Sequence, residues 1–126
     1  MDNLVAWAAG LFEGEGYISS KRTKGYAIAL GLKMTDRDVV DRFGSVVGVG
    51  AVRGPYNNCN GVKPVYVWQT GKFVDVFSTL KLFWPYLGER RRVKTLESLT
   101  DYYMHKQSKS LKSPKEVLYR EAIIRY

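Results

Sequence analysis

Cysteine and histidine are almost missing from this chain of 126 residues, with Cys59 and His105 the single copies of each. One cysteine excludes an intrachain disulfide and any zinc site built from several thiolates. Cys59 lies in the polar stretch Asn57-Asn58-Cys59-Asn60-Gly61 and reads as a neutral passenger in a reducing compartment. A lone histidine disfavours nucleases that combine a histidine base with histidine metal ligands. No apolar run approaches the roughly 18 residues of a membrane-spanning helix, and Glu13 and Glu15 interrupt the N-terminal pattern. Neither a membrane span nor a secretory signal is therefore expected. The protein is placed inside the cell, in the cytoplasm or in an organelle matrix if organelle-encoded.

Acidic residues are also few. Twelve Asp and Glu stand against 20 Lys and Arg, a formal net charge of +8. Such an excess on a small domain suits an anionic partner, nucleic acid ahead of a membrane or an acidic protein. With 45% hydrophobic residues the chain can build a core, and its length suits one domain over residues 1–126.

What is present is an ordered series of helix and strand patterns. Residues 2–14 read as a helix capped by Asp2 or Asn3, with Leu4, Trp7, Ala8 and Leu11 at helical spacing. Ala6, Gly10 and Gly14 fall four apart on another face and leave a stripe almost without side chains. Helical glycine costs roughly 1 kcal/mol relative to alanine, so close approach of another element is expected. A second helix and the sheet of the same subunit are equally suitable as that element.

Residues 17–22 and 26–34 read as strands joined by Thr23-Lys24-Gly25. The second alternates Tyr26, Ile28, Leu30, Leu32 and Met34 against Ala27, Ala29, Gly31 and Lys33. Thr35 can cap a helix from Asp36 to about Val47, with Val39, Val40, Phe43 and Val47 inward, ended by Gly48-Val49-Gly50. A third strand is expected over 51–53, then a polar loop containing Pro55, Asn57, Asn58, Asn60 and Gly61, then a fourth strand over 65–70. A helix over 73–83 carries Val76, Phe77, Leu80 and Phe83, and Pro85 closes it. A further helix is expected from Arg90 to about Lys106, a connector over 107–112, and a last helix over 115–124 with Pro114 at its first position. The class is α+β. Four strands with helices on one side leave the other sheet face free, and Ser19, Lys21, Lys33 and Arg53 fall on it. A surface of this kind can enter a DNA major groove.

The segment Ala8-Ala9-Gly10-Leu11-Phe12-Glu13-Gly14-Glu15-Gly16 resembles the signature of the LAGLIDADG homing endonucleases. Tyr17-Ile18-Ser19 begins a strand after it, Leu32-Lys33-Met34-Thr35-Asp36 precedes a helix, and Gly48-Val49-Gly50-Ala51-Val52-Arg53 and Trp84-Pro85-Tyr86-Leu87 follow in the family's order. The resemblance covers roughly residues 4 to 100. It implies an αββαββα fold with a four-stranded antiparallel, saddle-like sheet on DNA, a signature helix over 2–16 and C-terminal helices over about 90–126.

The resemblance also assigns roles. Signature helices of two copies pack together, which would use Ala6, Gly10, Glu13 and Gly14 as the dimer interface. Glu15 stands where the family keeps its metal-binding acid, more often Asp, and the Gly14 carbonyl helps hold the metal. Mg²⁺, or another divalent cation such as Mn²⁺, suits oxygen ligands of this kind. Asp36 matches a position that orients water, and Arg90 a basic position near the phosphate. Arginine can stabilise charge there but cannot serve as a base. Ser19, Lys21, Lys24, Lys33, Arg53 and Gln69 are the base-reading candidates and Lys63 a phosphate contact. A one-residue slip on the fourth strand would exchange Gln69 with Trp68.

One signature copy implies a homodimer and a long palindromic or near-palindromic duplex site. The implied function is site-specific, metal-assisted hydrolysis of double-stranded DNA of the intron or intein homing type. A catalytically inactive DNA-binding regulator or an RNA maturase of the same fold is the alternative. An unrelated basic α+β interaction domain is a third, and it would be monomeric and indifferent to duplex DNA.

Overall fold

The structure, a computed structural model, describes residues 3–21, 27–57 and 63–109, with the side chains at 21 and 107–109 left aside. Its elements run α1 (Asn3–Glu15), β1 (Gly16–Lys21), β2 (Ala27–Met34), α2 (Arg37–Val47), β3 (Ala51–Tyr56), β4 (Val65–Thr70), α3 (Phe73–Phe83), a 3₁₀ turn (Trp84–Tyr86) and α4 (Glu89–Lys109). The expected αββαββα order is present. The strands form one antiparallel sheet in the order β1-β2-β4-β3, and the helices pack on one of its faces.

The alternation of β2 supplies the floor of the core: Ile28, Leu30 and Leu32 are buried, while Lys33 is exposed. Over that floor lie Ala8, Ala9 and Phe12 of α1, Val40 and Phe43 of α2, and Val76, Phe77, Leu80 and Phe83 of α3. Phe43 meets the edge of Trp68 with ring centroids 4.9 Å apart, and Phe83 lies 5.6 Å from Phe12. These aromatic contacts bind three helices and a strand into one cluster.

Several local expectations change. Of Leu4, Trp7, Ala8 and Leu11, only Ala8 is buried, and Leu4 is 51% exposed. The core side of α1 is centred on Ala8, Ala9 and Phe12, with Val5, Trp7 and Leu11 half-buried against them. Almost every position of this helix is apolar or glycine, so periodicity alone could not choose the inward face. Asp36, not Thr35, is the N-cap of α2, and its side chain makes no capping hydrogen bond. Val39 and Val47 are half-buried. Gly48 ends α2 in the left-handed conformation (φ 84°), its N–H donating to the Gly44 carbonyl at 2.9 Å.

Strand β3 continues through Pro55 and Tyr56, which were expected in the loop, past an irregular pairing between Arg53 and Tyr56. Proline is compatible with this position because β3 is an edge strand. Helix α4 begins at Glu89 and extends to Lys109, three residues into the expected connector. The turn 23–25, Cys59 and the helix expected over 115–124 lie outside the described residues. Among the described residues, no helix is long and apolar enough to cross a membrane.

Candidate nucleic-acid interface

The outer face of the sheet is built by the register. Tyr17, Gly31, Gln69 and Ala51 stand in one row across the four strands, and Lys33, Val67 and Arg53 in the next. Together with Tyr56, Asn57 and Val65 these rows line an open groove of about 470 Å³. Lys33, Arg53 and Gln69 are exposed, and neither cation has an ion-pair partner among the described residues. The groove is therefore basic, with hydrogen-bonding groups above an apolar floor.

The register also decides the fourth strand. Trp68 is fully buried, and its indole Nε1 donates to the Val49 carbonyl at 2.9 Å. Gln69 points outward. The side chain of Tyr17 covers Gly31, where an added Cβ would lie 2.7 Å from its ring carbon Cε1. This is why Gly31 is buried although it belongs to the open face. The face of β2 that carries Ala27, Ala29, Gly31 and Lys33 is thus partly covered by a tyrosine of the same chain.

Ser19 is half-buried on that face, opposite Ala29, and the exposed Lys63 lies just before β4. Lys24 and the side chain of Lys21 fall outside the described residues. Tyr17, Tyr56, Asn57, Val65 and Val67 line the groove without having been singled out from sequence. The alternation of Val65, Val67 and Gln69 contained that information, but only once the burial of Trp68 fixes the phase.

At one end of this face α1 passes into β1 with no intervening loop. Gly16 makes that possible, because a Cβ there would sit 2.7 Å from the Phe12 carbonyl oxygen and press into the Phe12 ring. Glu15, the last residue of α1, is exposed and makes no hydrogen bond or ion pair among the described residues. Gly16 pairs with Leu32, so the end of β2 and Asp36 beyond it lie at the same end of the sheet as Glu15. Asp36 is exposed, and its carboxylate is likewise uncommitted.

Helix α4 also starts there, and its three arginines separate. Arg92 donates to the Trp84 carbonyl through Nε (3.2 Å) and Nη2 (2.9 Å). Arg91 is buried and donates from Nη2 to the Glu13 carbonyl at 2.9 Å. Arg90 is exposed and makes no such bond among the described residues. The three arginines are thus not one solvated first turn, since two of them are bound to backbone carbonyls.

The Glu13 carboxylate accepts the Gly88 N–H at 3.0 Å, which turns it toward the start of α4 in its own chain. Two of the three residues of the small-residue stripe face outward. Gly10 and Gly14 are exposed, and a Cβ at either would meet nothing within 4 Å among the described residues, while Ala6 is half-buried. Packing against the sheet of the same subunit is thereby ruled out for the two glycines. No group of three or more His, Cys, Asp or Glu side chains converges among the described residues. Among the described residues, Glu15 therefore contributes one carboxylate and no cluster of ligands forms around it.

No family model and no curated protein matches the sequence, but solved structures match the fold. The homing endonuclease I-CvuI, in complex with a DNA target, aligns with a TM-score of 0.62 at 20% identity over 97% of this chain and 81% of that one. The LAGLIDADG homing endonuclease I-GzeII, also with a DNA target, gives 0.66 at 20% identity over 93% of this chain and 41% of the longer one. The archaeal intron-encoded homing endonuclease I-Vdi141I, complexed with DNA, gives 0.57 at 13% identity over 98% and 96%. Element order, sheet topology and nearly full-length alignment agree, and the chain has the fold of the LAGLIDADG homing endonucleases.

Proposed function

We propose that this protein is a homodimeric, metal-assisted endonuclease for double-stranded DNA, with a palindromic or near-palindromic target. The observation that carries this reading is the free Glu15 carboxylate at the end of a helix whose Gly10 and Gly14 face is open, beside a basic groove. Two copies packed on that helix face would bring two such carboxylates together. The DNA complexes formed by proteins of this fold support duplex DNA as the ligand.

The residues suit a hard divalent cation, Mg²⁺ or Mn²⁺. Glu15 offers an uncommitted carboxylate, and Gly14 offers a carbonyl in the last helical turn, where carbonyls lack an intrahelical donor. When bound, such an ion supplies charge neutralisation on the phosphate and a lower pKa for the attacking water. Asp36 orients water at the same end of the sheet. Arg90, exposed at the start of α4, stabilises the extra negative charge of the pentacoordinate phosphorus. Lys33, Arg53, Gln69 and Ser19 read base edges, Lys21 and Lys24 extend that surface, and Lys63 holds phosphate. Ala6, Gly10 and Gly14 form the contact between copies, and Glu13 braces the end of the same helix.

The test is cleavage of a randomised duplex library with Mg²⁺ by wild type and by Glu15→Gln. Cuts enriched at one near-palindromic sequence and reduced by about 10³-fold or more in the variant are the expected result. Tight duplex binding without cuts by either protein would replace the nuclease with a DNA-binding regulator. Binding restricted to structured RNA would replace it with a maturase.

A further inference from the structure

Arg91 is the charged side chain that the fold buries among the described residues, only 9% exposed. Taking a guanidinium out of water is expensive unless something compensates the charge. No carboxylate pairs with it among the described residues, and its Nε finds no acceptor there. Three weaker partners remain. Its Nη2 donates to the Glu13 carbonyl, its guanidinium carbon lies 5.3 Å from the centroid of the Phe12 ring, and both contacts sit in the last turn of α1. That turn is the negative end of the helix dipole, which favours a cation. An apolar side chain would cover Phe12 without the desolvation cost, so the charge and the forked donor need a purpose beyond packing.

Glu13 is joined twice to the start of α4 and the residue before it. Arg91 holds its carbonyl, and the Gly88 N–H holds its carboxylate. Both bonds act two residues before Glu15, whose own side chain has no partner among the described residues to fix its direction. Phe12, under Arg91, is also the residue against which Gly16 is pressed on the far side of Glu15. The backbone around Glu15 is therefore fixed from both sides by contacts that converge on Phe12 and Glu13.

We propose that Arg91 is a positioning residue: its buried guanidinium locks the last turn of α1 and so sets the direction of the Glu15 carboxylate. The inference rests on the reading of Glu15 as a metal ligand. It is separate from the part given to Arg90, because Arg91 acts through the helix and not on the phosphate.

The experiment compares wild type, Arg91→Met and Arg91→Lys in the full chain by two readouts. The first is hydrogen exchange of the free protein. In Arg91→Met, amides 13–17 should exchange roughly 10-fold faster while those of β4 are unchanged, with a smaller effect in Arg91→Lys, which keeps one donor. The second is Mn²⁺ binding to the protein–DNA complex by electron paramagnetic resonance, beside duplex affinity without metal. Mn²⁺ affinity should fall roughly 10-fold in Arg91→Met with duplex affinity held within about twofold. A merely structural arginine would give exchange rising equally in α1 and β4, with duplex affinity lost in step with stability, and that result overturns the proposal. Unchanged exchange at 13–17 overturns it as well. If Arg91→Met does not fold, Arg91→Lys decides by the same two outcomes. A wild type that neither cuts DNA nor binds Mn²⁺ removes the nuclease reading, whereas the exchange measurement still tests the lock on α1.

Discussion

Four glycines near the signature helix fall into two pairs with opposite surroundings. Gly16 and Gly31 are glycines because the same chain fills the space a side chain would need, with Phe12 against one and Tyr17 against the other. Gly10 and Gly14 have nothing within 4 Å of the Cβ they lack among the described residues, although Gly10, inside α1, weakens the helix by roughly 1 kcal/mol relative to alanine. The first pair is explained by the fold of one chain. The second is not explained by anything among the described residues, and the proposed contact between copies would account for it. The half-exposed Leu4 on the same helix fits that account, since it too is an apolar side chain left partly open.

The sharpest test of this contrast is Gly16→Ala. The new methyl would meet the Phe12 backbone carbonyl, which cannot rotate away, so a loss of about 3 kcal/mol or more is expected from the urea unfolding midpoint. An unchanged midpoint would mean that the direct passage from α1 to β1 is not as tight as it stands.

Gly14→Leu comes next and should act on the other pair through association. It should leave the folded monomer intact and weaken dimerisation by roughly 100-fold or more by sedimentation equilibrium, because overpacking is imposed by both copies. Gly10→Ala, measured at dissociating concentration, should raise stability by about 1 kcal/mol. A destabilised monomer in either case would erase the difference between the pairs.

The smallest effect is expected at Gly31→Ala. Its added methyl meets only the far end of the Tyr17 side chain, which can swing aside, so the stability change should stay within about 1 kcal/mol. The ring should move nonetheless, seen as shifted Tyr17 resonances and an altered base preference in the groove. In a Tyr17→Ala background the same substitution should have almost no effect, and a persistent effect there would detach the two residues.

Much of this was legible in local pattern. The alternation of β2 and the spacing of Val76, Phe77, Leu80 and Phe83 identify the core side of each element without reference to any other. The signature residues marked Glu15, Gly14 and Gly10, and the structure leaves all three exposed. The face of α1 was not legible, because a helix apolar all round gives periodicity no contrast to work with. The arginines were not legible either. Arg90, Arg91 and Arg92 are identical in chemistry, and only their rotation on α4 sends one to Glu13, one to Trp84 and one to solvent.

The sequence by itself determined the order and type of the elements, the basic excess and the presence of an acid at the end of a small-residue helix. Neighbouring residues suffice for these, since dihedral preference, periodicity and charge are local properties. Tertiary structure alone decided the phase of β4, the covering of Gly31 by Tyr17, the burial of Arg91 and the openness of Gly10 and Gly14. Each of these depends on which distant residue fills a given volume, and a linear pattern carries no such distance.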